Sequence, residues 1–307
     1  MQSHELSDDP EDTTVPVAVK EQAARRSTWV SVCVNVLLSG LQILVGIVAK
    51  SQGLIADGIH SLSDLVADFV VLLANRHSGK APDDEHPYGH QRFETGASFV
   101  LGMLLLLVGG GMLWSSVNKL EHHADIPPVH IAALAIAVTA LVAKETLFRY
   151  MLAVATRVKS GMLVANAWHA RSDAASSLVV GAGIVGNLLG YPLLDPIAAL
   201  IVGLMVGKMG WEFAWGALND LMDASADDAE VAAIRSTILQ TPGLRGAHDL
   251  RTRKMGDLIV VDVHLEIDAG LTVAQGHEIA LNARNRVMQR HRVLNVMTHV
   301  DPVAPTA

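Results

Sequence analysis

The chain has 307 residues, half of them hydrophobic, with a positive mean hydropathy and a formal net charge of −8. Only 18% are charged, against about 25% in an ordinary soluble domain, so a purely soluble fold is excluded. The acidic balance excludes a nucleic-acid partner, which requires a basic stripe, and the single cysteine, Cys33, excludes an intramolecular disulfide.

Residues 1–25 are polar, acidic and carry their basic residues late. They read as a mobile tail ahead of an uncleaved first anchor, because a signal peptide places its apolar stretch sooner. Residues 27–49, 95–118 and 174–194 contain no Asp, Glu, Lys or Arg, and runs of that length cross a hydrocarbon core about 30 Å thick. Residues 54–75, 126–148 and 196–218 are apolar with a few ionisable groups. Six spans within 26–220 is the economical count. Lys20, Arg25, Arg26, Arg76, Lys80, Arg92, Arg149, Arg157 and Lys159 then fall on one side, against Lys50 and Lys119 on the other. The positive-inside rule puts both termini in the cytoplasm of a multi-pass protein of the inner (plasma) membrane, in contact with lipid.

Beyond the sixth span the composition becomes that of a small soluble domain, 221–302, followed by a short tail, 303–307. Residues 226–240 have amphipathic helical spacing, with Val231, Ile234 and Ile238 on one face, and Pro242-Gly243 ends them. A strand leads to a turn at Gly256-Asp257. Residues 258–267 alternate, Val261, Val263, Leu265 and Ile267 facing one way and Asp262, His264 and Glu266 the other. A helix near 273–290 and a strand near 293–300 complete an αββαβ order, an α+β layer with both helices on one side of the sheet.

Ionisable groups inside a bilayer are costly, and their default reading is a substrate path. In the second span Asp57, His60, Asp64 and Asp68 step by three, four and four, which makes one helical stripe about 16 Å long. In the fifth, Asn166, His169 and Asp173 step by three and four beside Ser172, Ser176 and Ser177. Two helices thus each present a His-x-x-x-Asp pair. Facing one another, His60, Asp64, His169 and Asp173 would supply two imidazoles and two carboxylates, a closed tetrahedral set suited to zinc. The same donors suit iron(II), cobalt or manganese and do not suit copper(I). A lone intramembrane His or Asp is commonly a helix–helix hydrogen bond; two matched pairs at ligand spacing are not explained that way. Asp57 and Asp68 read as groups supporting the ligands from behind, charges at an entrance, or solvated acids near a helix end.

The loop after the second span brings Asp83, His86 and His90 within ligand spacing, with Gly89 easing the turn; a solvated turn is the plainer reading. In the soluble domain His248, His264, His277, His299 and Asp301 are scattered, but strands pairing with His264 would bring His248 and His299 beside it. His4, His122, His123, His130 and His291 fit no constellation.

The motifs ADGIHSLSD, NAWHARSDA, DDEHPYGH, GAHDLRTR and THVDP, in this order over about residues 28–302, resemble the cation diffusion facilitator family. The resemblance implies a homodimeric exporter with six transmembrane helices and a cytoplasmic ferredoxin-like domain that exchanges zinc or a similar ion for protons. It implies His60, Asp64, His169 and Asp173 as the transport site, Asp83, His86 and His90 as a loop site, and metal binding in the tail through His248, His264, His277, His299 and Asp301. Zinc would be both substrate and regulatory ligand, with Fe2+, Cd2+ and Mn2+ as further ions; the context of Asp57 and Asp68 resembles an iron/zinc branch. By position, Arg92 and Asp223 match a charge interlock at the dimer contact.

The rival readings are a membrane-embedded metal-dependent hydrolase and a divalent-cation channel. A catalytic zinc keeps an open position, whereas four protein ligands close this one, and neither HExxH nor a phosphate-binding GxxxxGK[ST] loop occurs. Tight four-ligand binding favours a carrier over a channel.

Overall fold

A computed structural model describes residues 17–122, 126, 128–158 and 161–304. The expected tail residues 1–16 and 305–307, with His4, His123 and Lys159, lie outside the described residues. Six long helices come first: α1 (Val17–Ala49), α2 (Gln52–Ser78), α3 (Arg92–Glu121), α4 (Ile131–Arg157), α5 (Gly161–Leu188) and α6 (Leu194–Leu221). Then follow α7 (Asp228–Leu239), β1 (Leu244–Met255), β2 (Leu258–Asp268), α8 (Val273–Arg290) and β3 (Val293–Val303), the αββαβ order expected.

Among the described residues, four helical stretches are long and apolar enough to cross a membrane: Arg25–Ala49, Arg92–Glu121, Ile131–Arg157 and Leu194–Leu221. The other two long helices, α2 and α5, are those that carry the two His-x-x-x-Asp pairs.

Three boundaries differ from expectation for local reasons. Helix α1 begins at Val17, inside the segment expected to be mobile, because EQAARR is a run of strong helix formers. The fourth helix begins at Ile131 rather than 126, where the extended His130 (φ −75°, ψ 144°) caps the helix, its Nδ1 accepting from the Ala132 N–H at 3.2 Å. The charge-free run 174–194 is not one helix: α5 stops at Leu188, where Gly190, at φ +97°, turns the chain toward Pro192.

The chain forms two compact units. In the first, residues up to 66 and 107–207, α4 packs against α1 and α5. Leu147, Phe148 and Met151 of α4 meet Ala167 and Ala170 of α5. Helices α1 and α2 approach so closely that a Cβ on Gly46 would lie 2.7 Å from Ile55, and one on Gly58 2.8 Å from Ile43. The start of α2 is held from far along the chain: Asp195 of α6 accepts from the Ser51 hydroxyl at 2.6 Å and from the backbone N–H groups of Gln52 and Gly53 at 2.6 and 3.2 Å. A buried carboxylate thus satisfies N–H groups that no helical carbonyl can reach.

The second unit, 67–106 with 208–307, contains the sheet β1-β2-β3, β1 antiparallel and β3 parallel to β2. Its core is the face read from the alternation: Val261, Val263, Leu265 and Ile267 are buried against Ile234 and Ile238 of α7 and Ala280, Ala283 and Val287 of α8. The opposite face of β2 carries Asp262, His264 and Glu266.

Candidate metal centre

Inside the first unit, His60 and Asp64 on α2 meet Asp173 on α5. One ligand atom from each lies within 4.8 Å of the others, and His60 Nδ1 stands 3.6 Å from Asp64 Oδ2. His60 is buried, Asp64 and Asp173 are half-buried, and His60 Nδ1 makes no hydrogen bond. An imidazole lone pair between two carboxylates is a donor set for a divalent ion. His169, the fourth expected ligand, is exposed and outside this group. It sits one turn before Asp173 on the same helix. Asp68 is exposed on α2 and also outside the group.

Asp57 is 1% exposed. Its Oδ1 accepts from Lys144 Nζ at 3.3 Å and the Ser176 hydroxyl at 2.9 Å; its Oδ2 accepts from the Ser177 hydroxyl at 2.6 Å and from the Gln42 side-chain amide. Lys144 is equally buried and also donates to Ser177 Oγ at 2.7 Å and the Asp173 carbonyl at 3.4 Å. Sequence reading passed over Lys144 and Gln42. Both lie on helices without a ligand motif, and their only signal is a polar side chain within an apolar run.

In the loop of the second unit, Asp83 Oδ1 lies 3.4 Å from His86 Nδ1 and its Oδ2 3.4 Å from His90 Nε2. The left-handed Gly89, at φ +86°, returns the chain so that His90 stacks with Phe93, ring centroids 5.5 Å apart. Backbone N–H groups of His86 and Glu85 bond Asp83 Oδ1 at 2.7 and 3.2 Å; the His86 bond chiefly holds the carboxyl below the usual carboxylate range. The Nδ1 atoms of His86 and His90 make no hydrogen bond, so ring nitrogens and an ionised acid remain available to a cation.

On the sheet, register gathers what the sequence scatters: His248 of β1 pairs with His264 of β2, which pairs with His299 of β3. Asp301 is the hub, its Oδ2 2.9 Å from His264 Nδ1 and 3.3 Å from His248 Nε2, its Oδ1 3.4 Å from His299 Nε2. The hydrogen bond from His264 is the main cause of its lowered pKa. Glu266, 3.1 Å from His248 Nδ1, joins the group; it was visible only as a polar strand position. His277 is exposed on α8 and outside the group of His248, His264 and Asp301. Arg92 Nη2 and Asp223 Oδ1 are 2.5 Å apart, and Arg253 Nη1 lies 3.9 Å from Asp223 Oδ2.

Comparison with known proteins finds two family models along the chain. The family described as "Cation efflux transmembrane domain" matches residues 28–222, and that described as "Cation efflux protein, cytoplasmic domain" matches 226–303. "Metal tolerance protein 2" of Oryza sativa subsp. japonica is 34% identical over 92% of this chain and 80% of its own length. "Metal tolerance protein C1" of Arabidopsis thaliana is 35% identical over 86% of this chain, which spans 59% of that relative. "Manganese efflux system protein MneP" of Bacillus subtilis (strain 168) is 31% identical over 92% of this chain and 97% of its own length.

Proposed function

The chain belongs to the cation diffusion facilitator family, and from that premise we propose that it exports a divalent metal ion by exchange with protons. It is an integral membrane protein with a cytoplasmic C-terminal domain, a cation-efflux transporter and not an enzyme. Its ion is zinc first, with Fe2+, Cd2+ and Mn2+ next; the name of the Bacillus relative keeps manganese in the set. The protein works as a homodimer, its six spans leaving both termini in the cytoplasm.

The observation that carries this reading is the meeting of His60, Asp64 and Asp173 from two helices at ligand distance. A metal reaching that site gives up water for an imidazole nitrogen and two carboxylates, and His169 turns inward to close a tetrahedral shell. Binding requires the imidazoles to be neutral. Protons arriving from the far side compete for the same nitrogens and oxygens, so release is coupled to the proton gradient. Rocking of the helices exposes the site to either side in turn, and metal shifts that equilibrium only by its differential affinity for the two states. The His248–His264–His299–Asp301 cluster senses cytoplasmic metal and, once filled, favours the dimer; the Asp83–His86–His90 loop is a second cytoplasmic binding site.

The test is flux of zinc, iron(II), cadmium and manganese into proteoliposomes with and without a pH gradient, for the wild type and Asp173→Ala. Flux indifferent to the gradient would defeat the antiport, and flux that survives loss of Asp173 would defeat the site.

A further inference from the structure

Ser176 and Ser177 follow Asp173 on α5 by three and four residues, and both are buried. Asp57, equally buried, precedes His60 on α2 by three. Ser177 donates to Asp57 Oδ2 at 2.6 Å, the length of a hydroxyl-to-carboxylate bond, and Ser176 donates to Asp57 Oδ1 at 2.9 Å. Two bonds to one carboxylate thus tie α5 to α2 one helical turn, about 5.4 Å, from a metal ligand on each helix. Lys144 Nζ at 3.3 Å and the Gln42 amide hold that carboxylate from α4 and α1. Lys144 also donates to Ser177 Oγ at 2.7 Å, which leaves the Ser177 proton for Asp57. Each serine has a second acceptor on its own helix: the Asp173 carbonyl lies 2.8 Å from Ser176 Oγ and 3.4 Å from Ser177 Oγ. A hydroxyl has one proton to give, so each serine either bridges to α2 or turns back onto α5.

We propose that Ser176 and Ser177 are positioning residues of the transport site: bridged to Asp57, they hold Asp173 at the approach to His60 that suits a small divalent ion. The ligand atoms of His60 and Asp173 lie within 4.8 Å of one another, and a spacing fixed at the serines is transmitted along one turn of two stiff helices. Zinc takes nitrogen and oxygen donors at about 2.0–2.2 Å, whereas cadmium, a larger ion of the same charge, requires a wider shell. Selection between ions of one charge rests on cavity size and on how rigidly the donors are held. The return position on the Asp173 carbonyl serves the other half of the cycle. When α5 parts from α2, a hydroxyl that loses Asp57 finds a partner on its own helix, and no serine is left unsatisfied in the membrane. This role rests on the transport-site reading given above.

Positioning and mere packing differ in one readout, the ratio of zinc to cadmium efficiency. Flux of each ion into proteoliposomes of the full-length chain gives kcat/KM for the wild type, Ser176→Ala, Ser177→Ala, their double, Ser172→Ala and Asp173→Ala. Each preparation is first required to elute as a single species. The double variant should lower the zinc-to-cadmium ratio about tenfold, the worth of one to two hydrogen bonds, and each single variant about threefold. Ser172 is exposed and donates within α5, to the Trp168 carbonyl at 3.4 Å, so Ser172→Ala should keep the ratio within about twofold. Where the double variant does not elute as one species, the singles carry the test. Zinc and cadmium slowed by the same factor in the serine variants would mean packing alone and would overturn the proposal. A rise in the ratio, or a fall as large in Ser172→Ala, would overturn it as well. Asp173→Ala keeps the two readings apart. Wild-type flux in that variant sinks the transport site and this role with it, whereas lost flux there with an unchanged ratio in the serine variants sinks the positioning role alone.

Discussion

The membrane interior and the sheet of the cytoplasmic domain each bring imidazoles and carboxylates within ligand distance, and they do so under opposite constraints. His60 is 6% exposed, and the Lys144–Asp57 pair behind it is shut off from solvent. The side chains of His248 and Asp301 are 48% and 30% exposed. On the sheet, water covers whatever the protein leaves unmatched, so an excess of acid and imidazole costs little. In the membrane every charge needs a counter-charge or a full set of hydrogen bonds, and α1, α4 and α5 supply that set to a single acid on α2. A transport site needs donors whose affinity changes as helices move; a sensor needs only that a common cytoplasmic ion can fill it.

The largest expected effect would break this comparison if it failed. Asp64→Ala removes one of the two carboxylates that meet His60, and zinc flux in proteoliposomes should fall by at least about 100-fold, beyond the 10–100-fold typical of a supporting partner. His264→Ala, on the sheet, should leave flux within about tenfold of wild type under the same measurement. Equal losses from the two substitutions would mean that the sheet is part of the transport path.

A second, smaller effect sharpens the sheet's side. Metal that binds the folded domain and not the unfolded chain stabilises it by about 2.7 kcal/mol at a hundredfold excess over Kd. Hydrogen exchange of β2 and β3 in the full-length protein should therefore slow when zinc is added to the wild type. Asp301→Asn, which removes the ionised hub between His264, His248 and His299, should abolish most of that slowing while leaving flux largely intact. Unchanged zinc protection in Asp301→Asn would remove this cluster from any sensing role.

The two regions also differed in how far the sequence could be read. On α2 a stripe at 3.6-residue spacing placed His60 and Asp64 on one face, and the matching stripe on α5 placed Asp173, because helical neighbours are near in sequence. What joins helices is far in sequence: Lys144 is 87 residues from Asp57, and Asp195 is 143 from Gln52. A lysine in an apolar run carries no mark of which acid it will meet. His169 shows a further limit. Spacing fixes the side of the helix, whereas the rotamer that turns the ring inward or outward depends on neighbours that spacing does not name. On the sheet, alternation in β2 gave the buried face at once, and one assumption of pairing brought His248 and His299 beside His264. Glu266 lay on that same polar face two residues on, and only the register of β1 makes it a neighbour of His248.

The smallest expected effect tests whether burial, rather than charge pairing as such, separates the two regions. Arg92 and Asp223 form an ion pair at 2.5 Å, shorter than Lys144–Asp57 at 3.3 Å, yet their side chains are 44% and 48% exposed. Exposed pairs contribute about 0.2–1 kcal/mol, so Arg92→Ala should shift stability by no more than about 1 kcal/mol in a denaturant titration. Its partner is not equivalent. Asp223 also lies 3.9 Å from Arg253, so Asp223→Ala leaves two guanidinium groups without their shared acid, while Arg92→Ala leaves Asp223 still matched. Asp223 further holds a left-handed backbone, at φ +61°, which alanine tolerates less well than aspartate. Asp223→Ala should thus cost more than Arg92→Ala, and Asp223→Asn should fall between them by keeping the backbone preference and losing the charge. A cost for Arg92→Ala as large as the 3–5 kcal/mol of a broken buried pair would show that this contact is desolvated in the assembled protein, and would move it to the membrane's side of the comparison.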